Sequence, residues 1–117
     1  MIKRRANLVA KEISEMRDGK GTVFATGLME LAEFHGAGRI FSHMRLPAGC
    51  SIGLHPHMEE FETYYIIKGT AKYLDDGLEV ILTAGDVAYN PMGEAHAIEN
   101  IGEDDLEFIA YIGIPVQ

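Results

Sequence analysis

Cys50 is the only cysteine in the 117 residues, and tryptophan is absent. A single cysteine can form no intrachain disulfide, which excludes a small disulfide-stapled secreted scaffold and makes a reducing, cytoplasmic setting the expectation. No apolar run approaches the roughly 18 residues of a membrane helix. The basic start at residues 1–5 leads into residues 6–12, too short and too soon charged for a signal sequence, so a soluble, unprocessed chain with no membrane partner is expected. Basic residues stop at Lys72, and residues 73–117 carry ten acids, within a net charge of −8. Such a surface repels phosphate backbones, which argues against nucleic acid as a partner, and its acidic half is read as a solubility shell. No linker, internal repeat or low-complexity segment breaks the chain, so a single compact domain is expected.

Short segments rich in β-branched and aromatic residues dominate. Residues 22–26, 40–46, 62–68, 70–74, 78–82, 86–89, 96–99 and 106–112 have strand character and are separated by glycine, proline and polar turns. Asp75-Asp76-Gly77 supplies the positive φ of a tight hairpin. Many short strands at regular spacing, with no long helix after residue 17, predict an all-β sandwich, jelly roll or small barrel. Before them, Leu8, Val9, Ile13 and Met16 have a loose helical spacing that breaks at residues 17–21, which predicts a short helix or a frayed arm. The division is therefore an N-terminal arm, 1–20, and one domain, 21–117.

The chemistry gathers in the histidines. In His55-Pro56-His57 two imidazoles at i and i+2 share one face of an extended chain, a two-pronged grip for a metal. Glu62 opens a strand five residues later, where a carboxylate becomes a third ligand if the chain folds back. His96 follows the turn at residues 90–95, and a closed sheet brings it opposite the pair. On residues 40–46, alternation alone leaves open which face points inward, and the cost of burying charge favours the solvent side for His43 and Arg45. Tyr64 shares the parity of Glu62 and, with Met44 and Phe108, is a candidate to line a pocket, although such side chains more often fill cores. Cys50 reads as a small hydrophobe and His35 as a loop residue.

These residues resemble the two motifs of the cupin superfamily. The first, G-x5-H-x-H-x3,4-E-x6-G, is filled by Gly49, His55, His57, Glu62 and Gly69, and the second, G-x5-P-x-G-x2-H-x3-N, by Gly85, Pro91, Gly93, His96 and Asn100. The resemblance implies a double-stranded β-helix, or jelly-roll barrel, with His55, His57, Glu62 and His96 on one divalent metal ion. Mixed imidazole and carboxylate ligation suits Mn, Fe, Ni or Zn without choosing among them, and the lack of thiolates argues against a structural zinc site. Pro91 and Gly93 read as turn formers that place His96, and Asn100 as a turn anchor.

A metal-dependent enzyme acting on a small oxygenated molecule is the leading expectation, of dioxygenase, isomerase or decarboxylase type. A non-catalytic, metal-dependent binding or sensing module for a small ligand is the alternative. Cupins resembling oxalate decarboxylases carry an arginine just before the first motif histidine, where residues 51–54 here have none, so such chemistry would draw on Arg39 or Arg45. A metal-free sugar-nucleotide epimerase fits poorly, because it needs a His–Asp pair and a basic phosphate pocket. An arm that pairs with a neighbouring sheet edge predicts a homodimer.

Overall fold

The computed structural model describes residues 1–116. Ten antiparallel strands follow one another: β1 (Ala10–Ser14), β2 (Thr22–Gly27), β3 (Gly38–Leu46), β4 (Ser51–Pro56), β5 (Phe61–Lys68), β6 (Thr70–Asp75), β7 (Leu78–Thr83), β8 (Val87–Asn90), β9 (Ala95–Asn100) and β10 (Leu106–Gly113). They form a six-stranded sheet in the order β1-β2-β3-β10-β5-β8 and a four-stranded sheet in the order β4-β9-β6-β7. The fold is all-β, as expected for a jelly-roll barrel. No helix among the described residues is long and apolar enough to cross a membrane.

Alternation writes the interior. Glu62, Tyr64 and Ile66 of β5 point inward, as do Ser42, Met44 and Leu46 of β3 and His96, Ile98 and Asn100 of β9. His43 and Arg45 therefore face outward. His43 Nε2 lies 2.9 Å from Glu107 Oε1, and the Arg45 guanidinium covers the Phe24 ring at 4.1 Å from its centre. One end of the interior is packed with Leu46, Ile66, Ile98, Leu106 and Phe108, none more than 1% exposed. Burial of this kind stabilises by roughly 1.5–3 kcal/mol per large side chain.

The turns behave as their residues dictate. Asp76 and Gly77, with φ of 48° and 92°, make the tight β6–β7 hairpin, in which Asp75 pairs with Leu78. At the β9–β10 connection, Asn100 Nδ2 donates to the carbonyls of Leu46 and Asp104, both at 2.8 Å, and Oδ1 accepts from the Gly102 N–H. Gly69 needs its freedom, since its φ is 97° and a Cβ there would stand 2.9 Å from the Asp105 carbonyl oxygen.

The arm departs from expectation. Instead of a short helix, residues 10–14 form strand β1, paired with β2 so that Ile13 lies opposite Val23. A helix of about ten residues is marginal on its own, and here the helical spacing has no packed face: Val9 is 82% exposed, and only Ile13 and Met16 reach the core. Pairing with β2 satisfies the backbone instead. A single 3₁₀ turn, Arg5–Asn7, precedes the strand, and a tight turn over Met16–Asp18, left-handed at Arg17 and Asp18, follows it.

Candidate metal centre

Strands from both sheets deliver the four chemistry-bearing side chains to one point. β4 and β9 pair in a register that sets His55 opposite His96, after an irregularity between Ile52 and His55. Pro56 ends the β4 ladder, and His57 is held beyond it: its N–H donates to the Glu94 carbonyl at 3.3 Å, and its own carbonyl accepts from the Gly93 N–H at 2.6 Å. Gly93 has φ of 86°, which lets the turn before β9 close onto His57. Glu62 enters from the facing sheet, near the start of β5.

The result is a buried cluster of His55, His57, Glu62 and His96, each offering one ligand atom, all within 4.8 Å of one another. His96 Nε2 lies 3.1 Å from His55 Nε2 and 3.2 Å from His57 Nε2, and Glu62 Oε1 lies 2.8 Å from His57 Nε2 and 2.9 Å from His96 Nε2. The outer nitrogens are all engaged. His55 Nδ1 donates to the Gly53 carbonyl at 2.6 Å and His57 Nδ1 to Glu60 Oε1 at 2.7 Å, while His96 Nδ1 meets the Tyr73 hydroxyl at 2.8 Å.

Those outer partners decide what the inner nitrogens present. A carbonyl and a carboxylate only accept, so neutral His55 and His57 carry their hydrogen on Nδ1 and turn a bare Nε2 lone pair toward the centre. The bare Nε2 of His57 faces Glu62 Oε1 at 2.8 Å, lone pair to lone pair, a contact that repels unless a cation lies beside it. Glu62 Oε1 is one of two buried side-chain oxygens without a hydrogen-bond partner among the described residues; the other is Asn90 Oδ1, on the cross-strand neighbour of Glu62. Donors bound at roughly 2.1 Å and at right angles stand about 3 Å apart, which these spacings match. The donor set fits a divalent metal ion.

The electrostatics agree. Burial pushes the His55 pKa down to about 4, which keeps the imidazole neutral and available as a ligand. Glu62 and burial act oppositely on His57, and the carboxylate prevails, raising its pKa. Burial drives Glu62 upward, yet the imidazoles of His57 and His96 outweigh it and leave the group below the usual carboxylate range. Glu60 is held down to about 2, chiefly by Arg39, whose guanidinium meets it through Nε at 2.7 Å and Nη2 at 2.6 Å.

A cavity of about 230 Å³ opens onto His55, His57 and Glu62. This is below the roughly 300–1,000 Å³ typical of sites for drug-sized ligands, so the space suits a small molecule. Met44 and Tyr64 line it. Phe108 does not: it is fully buried behind Tyr64, with ring centres 4.5 Å apart. Tyr64 stacks on His96 at 5.1 Å, and burial raises its phenol pKa well above the ordinary value.

Several residues here escape sequence reasoning. Glu60 looks like a stray acid beside Glu62, and its one signal is the three-residue step from His57 that lets a carboxylate reach back to Nδ1. Tyr73 carries no signal beyond inward parity on β6. Arg39, weighed as a distant arginine, lines the cavity together with Lys11 and Arg17 of the N-terminal segment, whereas Arg45 lies on the outer face.

Comparison with known proteins agrees with this geometry. Residues 42–112 match the family described as Cupin domain. The chain is 45% identical over 112 residues, covering 96% of its own length and 93% of the relative's, to the oxalate-binding protein of Thermotoga maritima. It superposes with a TM-score of 0.95 on a crystal structure described as a predicted oxalate decarboxylase from the same organism, at 43% identity over 98% of this chain and all of that one. KdgF from Halomonas shares the fold alone, with a TM-score of 0.77 at 11% identity over 99% of this chain and 96% of its own. By the family match across the greater part of its length and by the full-length relative, the chain belongs to the cupin family.

Proposed function

We propose that the chain holds one divalent metal ion on His55, His57, Glu62 and His96 and binds a small chelating carboxylate, of the oxalate class, at that ion. The observation that carries this reading is the trio of imidazoles whose outer nitrogens are engaged, beside a carboxylate oxygen without a partner. The name of the Thermotoga maritima relative supports the ligand class. When bound, the ion supplies a Lewis acid with positions open to oxygen ligands. The chain does the rest. Gly53, Glu60 and Tyr73 orient the imidazoles, while Ile40, Met44, Ile52 and Ile112 wall the cavity and exclude water, strengthening the attraction between a bound anion and its cationic partners.

Turnover of the ligand, by a dioxygenase, isomerase or decarboxylase reaction, is the second reading. The apolar, water-excluding wall favours it. Binding ranks first because Arg39 is tied to Glu60, and the remaining titratable side chains on the wall, Lys11, Arg17 and Tyr64, supply no carboxylate or imidazole base outside the cluster. Calorimetric titration of the metal-loaded chain with oxalate, followed by assay for formate, carbon dioxide and oxygen uptake, tests both readings. Saturable binding with oxalate recovered intact supports the first, product formation the second, and no heat with any metal overturns both.

A homodimer belongs to the same proposal. The six-stranded sheet ends in β1 and β8, each with one edge unpaired within the sheet, and an edge strand is a template for pairing with a second chain. A monomeric mass by light scattering at micromolar concentration would contradict it.

A further inference from the structure

The mouth of the cavity is cationic in a chain of net charge −8. Lys11 and Arg17 line it, and neither has a carboxylate partner among the described residues, whereas Arg39, Arg45, Lys3, Lys20 and Lys72 all do. Arg17 arrives there on an unusual piece of backbone. Glu15, Arg17 and Asp18 have φ of 50°, 54° and 62°, the left-handed region that side chains with a Cβ rarely occupy. Three such residues within four positions persist only where the surroundings impose them.

The surroundings are β4. Gly53 and Gly19 let the two backbones meet: a Cβ on Gly53 would run into the Arg17 carbonyl oxygen, and one on Gly19 into that of Ser51. The Lys20 N–H donates to Ser51 Oγ at 2.9 Å, and the Ser51 N–H donates to the Lys20 carbonyl at 2.9 Å. Gly53 also accepts the His55 Nδ1 hydrogen bond, so the turn is clamped to the residue that orients a proposed metal ligand. Arg17 thereby lines the same cavity as His55, His57, Glu62 and Tyr64.

We propose that Arg17, held in the cavity mouth by this strained turn, is the counter-ion for the second carboxylate of a small dicarboxylate bound at the metal centre. The proposal rests on the reading that the centre takes a chelating carboxylate, and it adds the residue that selects dianions. A planar guanidinium matches a carboxylate through two parallel N–H donors, which the mobile ammonium of Lys11 does not offer. The turn's strain is then the cost of holding that group at a fixed place.

The test is calorimetric titration of the metal-loaded full chain with oxalate. Arg17→Gln is expected to keep its full metal content and to bind oxalate about tenfold more weakly or worse, the usual loss for one charge-assisted contact. Arg17→Gly is expected to lose the same affinity while its unfolding midpoint does not fall, because glycine relieves the left-handed φ. Arg4→Gln, which removes an unpaired exposed base away from the cavity, controls for net charge and should change affinity less than about twofold. Unchanged affinity in Arg17→Gln, or an equal loss in Arg4→Gln, overturns the proposal. A wild-type chain that takes up metal but no oxalate overturns instead the reading on which it stands.

Discussion

The two ends of the barrel interior are built from the same strands, two to four residues apart. On β5, Ile66 serves the closed end and Glu62 the open one; on β9, Ile98 and His96 divide the same way. Alternation decides that a residue faces inward, and distance along the strand decides whether it meets hydrocarbon or the donor cluster. The closed end satisfies itself. The open end presents a bare imidazole nitrogen against an unpartnered carboxylate oxygen, a donor set suited to a cation.

If the ends are energetically distinct, variants at each should separate stability from metal binding. Phe108→Ala, at the closed end, should cost roughly 3–5 kcal/mol by denaturant unfolding while the folded protein keeps its metal. An equal loss of metal would mean that the ends are not independent. Asn100→Ala strands the Leu46 and Asp104 carbonyls and should cost about 1–3 kcal/mol, again with metal retained.

At the open end the expected pattern reverses. Glu60→Gln should weaken metal binding by about 10–100-fold in competition with a chelator, because the His57 tautomer loses its anionic anchor, while the metal-free unfolding midpoint moves little. Unaltered metal affinity would reduce Glu60 to a partner of Arg39. Acid sharpens the contrast. His55, with its pKa lowered from 6.5 to about 4, contributes stability that is present above 6.5 and lost as pH falls toward 4. His57 is raised and works the other way, contributing below 6.5 and losing that contribution as pH rises. Metal-free His55→Gln should therefore lose part of the wild-type decline between pH 6.5 and 4, and Phe108→Ala should keep it. The smallest effect is expected on the outer face, where Arg45→Ala gives up an exposed ion pair and a contact with Phe24 for about 1 kcal/mol or less, and no metal.

Part of the donor set was legible in the sequence because it is local, whereas His96, 39 residues beyond His57, was joined to it by the motif resemblance. Glu62, Tyr64 and Ile66 share parity within one strand, and His55 and His57 share it across one proline. The motif glycines at 49, 69, 85 and 93 all have positive φ. What could not be read depends on elements far apart in the chain. Arg39 reaches Glu60 from β3, Tyr73 reaches His96 from β6, and Arg17 reaches the cavity only because Gly53 admits its turn. The strand at residues 10–14 was hidden similarly, since its pairing with β2 leaves a single inward side chain, Ile13, too sparse to set a period.

The open end's role in holding a metal ion is tested most directly by elemental analysis of tag-free protein beside His96→Ala. The expected result is about one equivalent of Mn, Fe, Ni or Zn in the wild type and none in the variant. Equal metal in both proteins, or a wild type that takes up none on reconstitution, would contradict it.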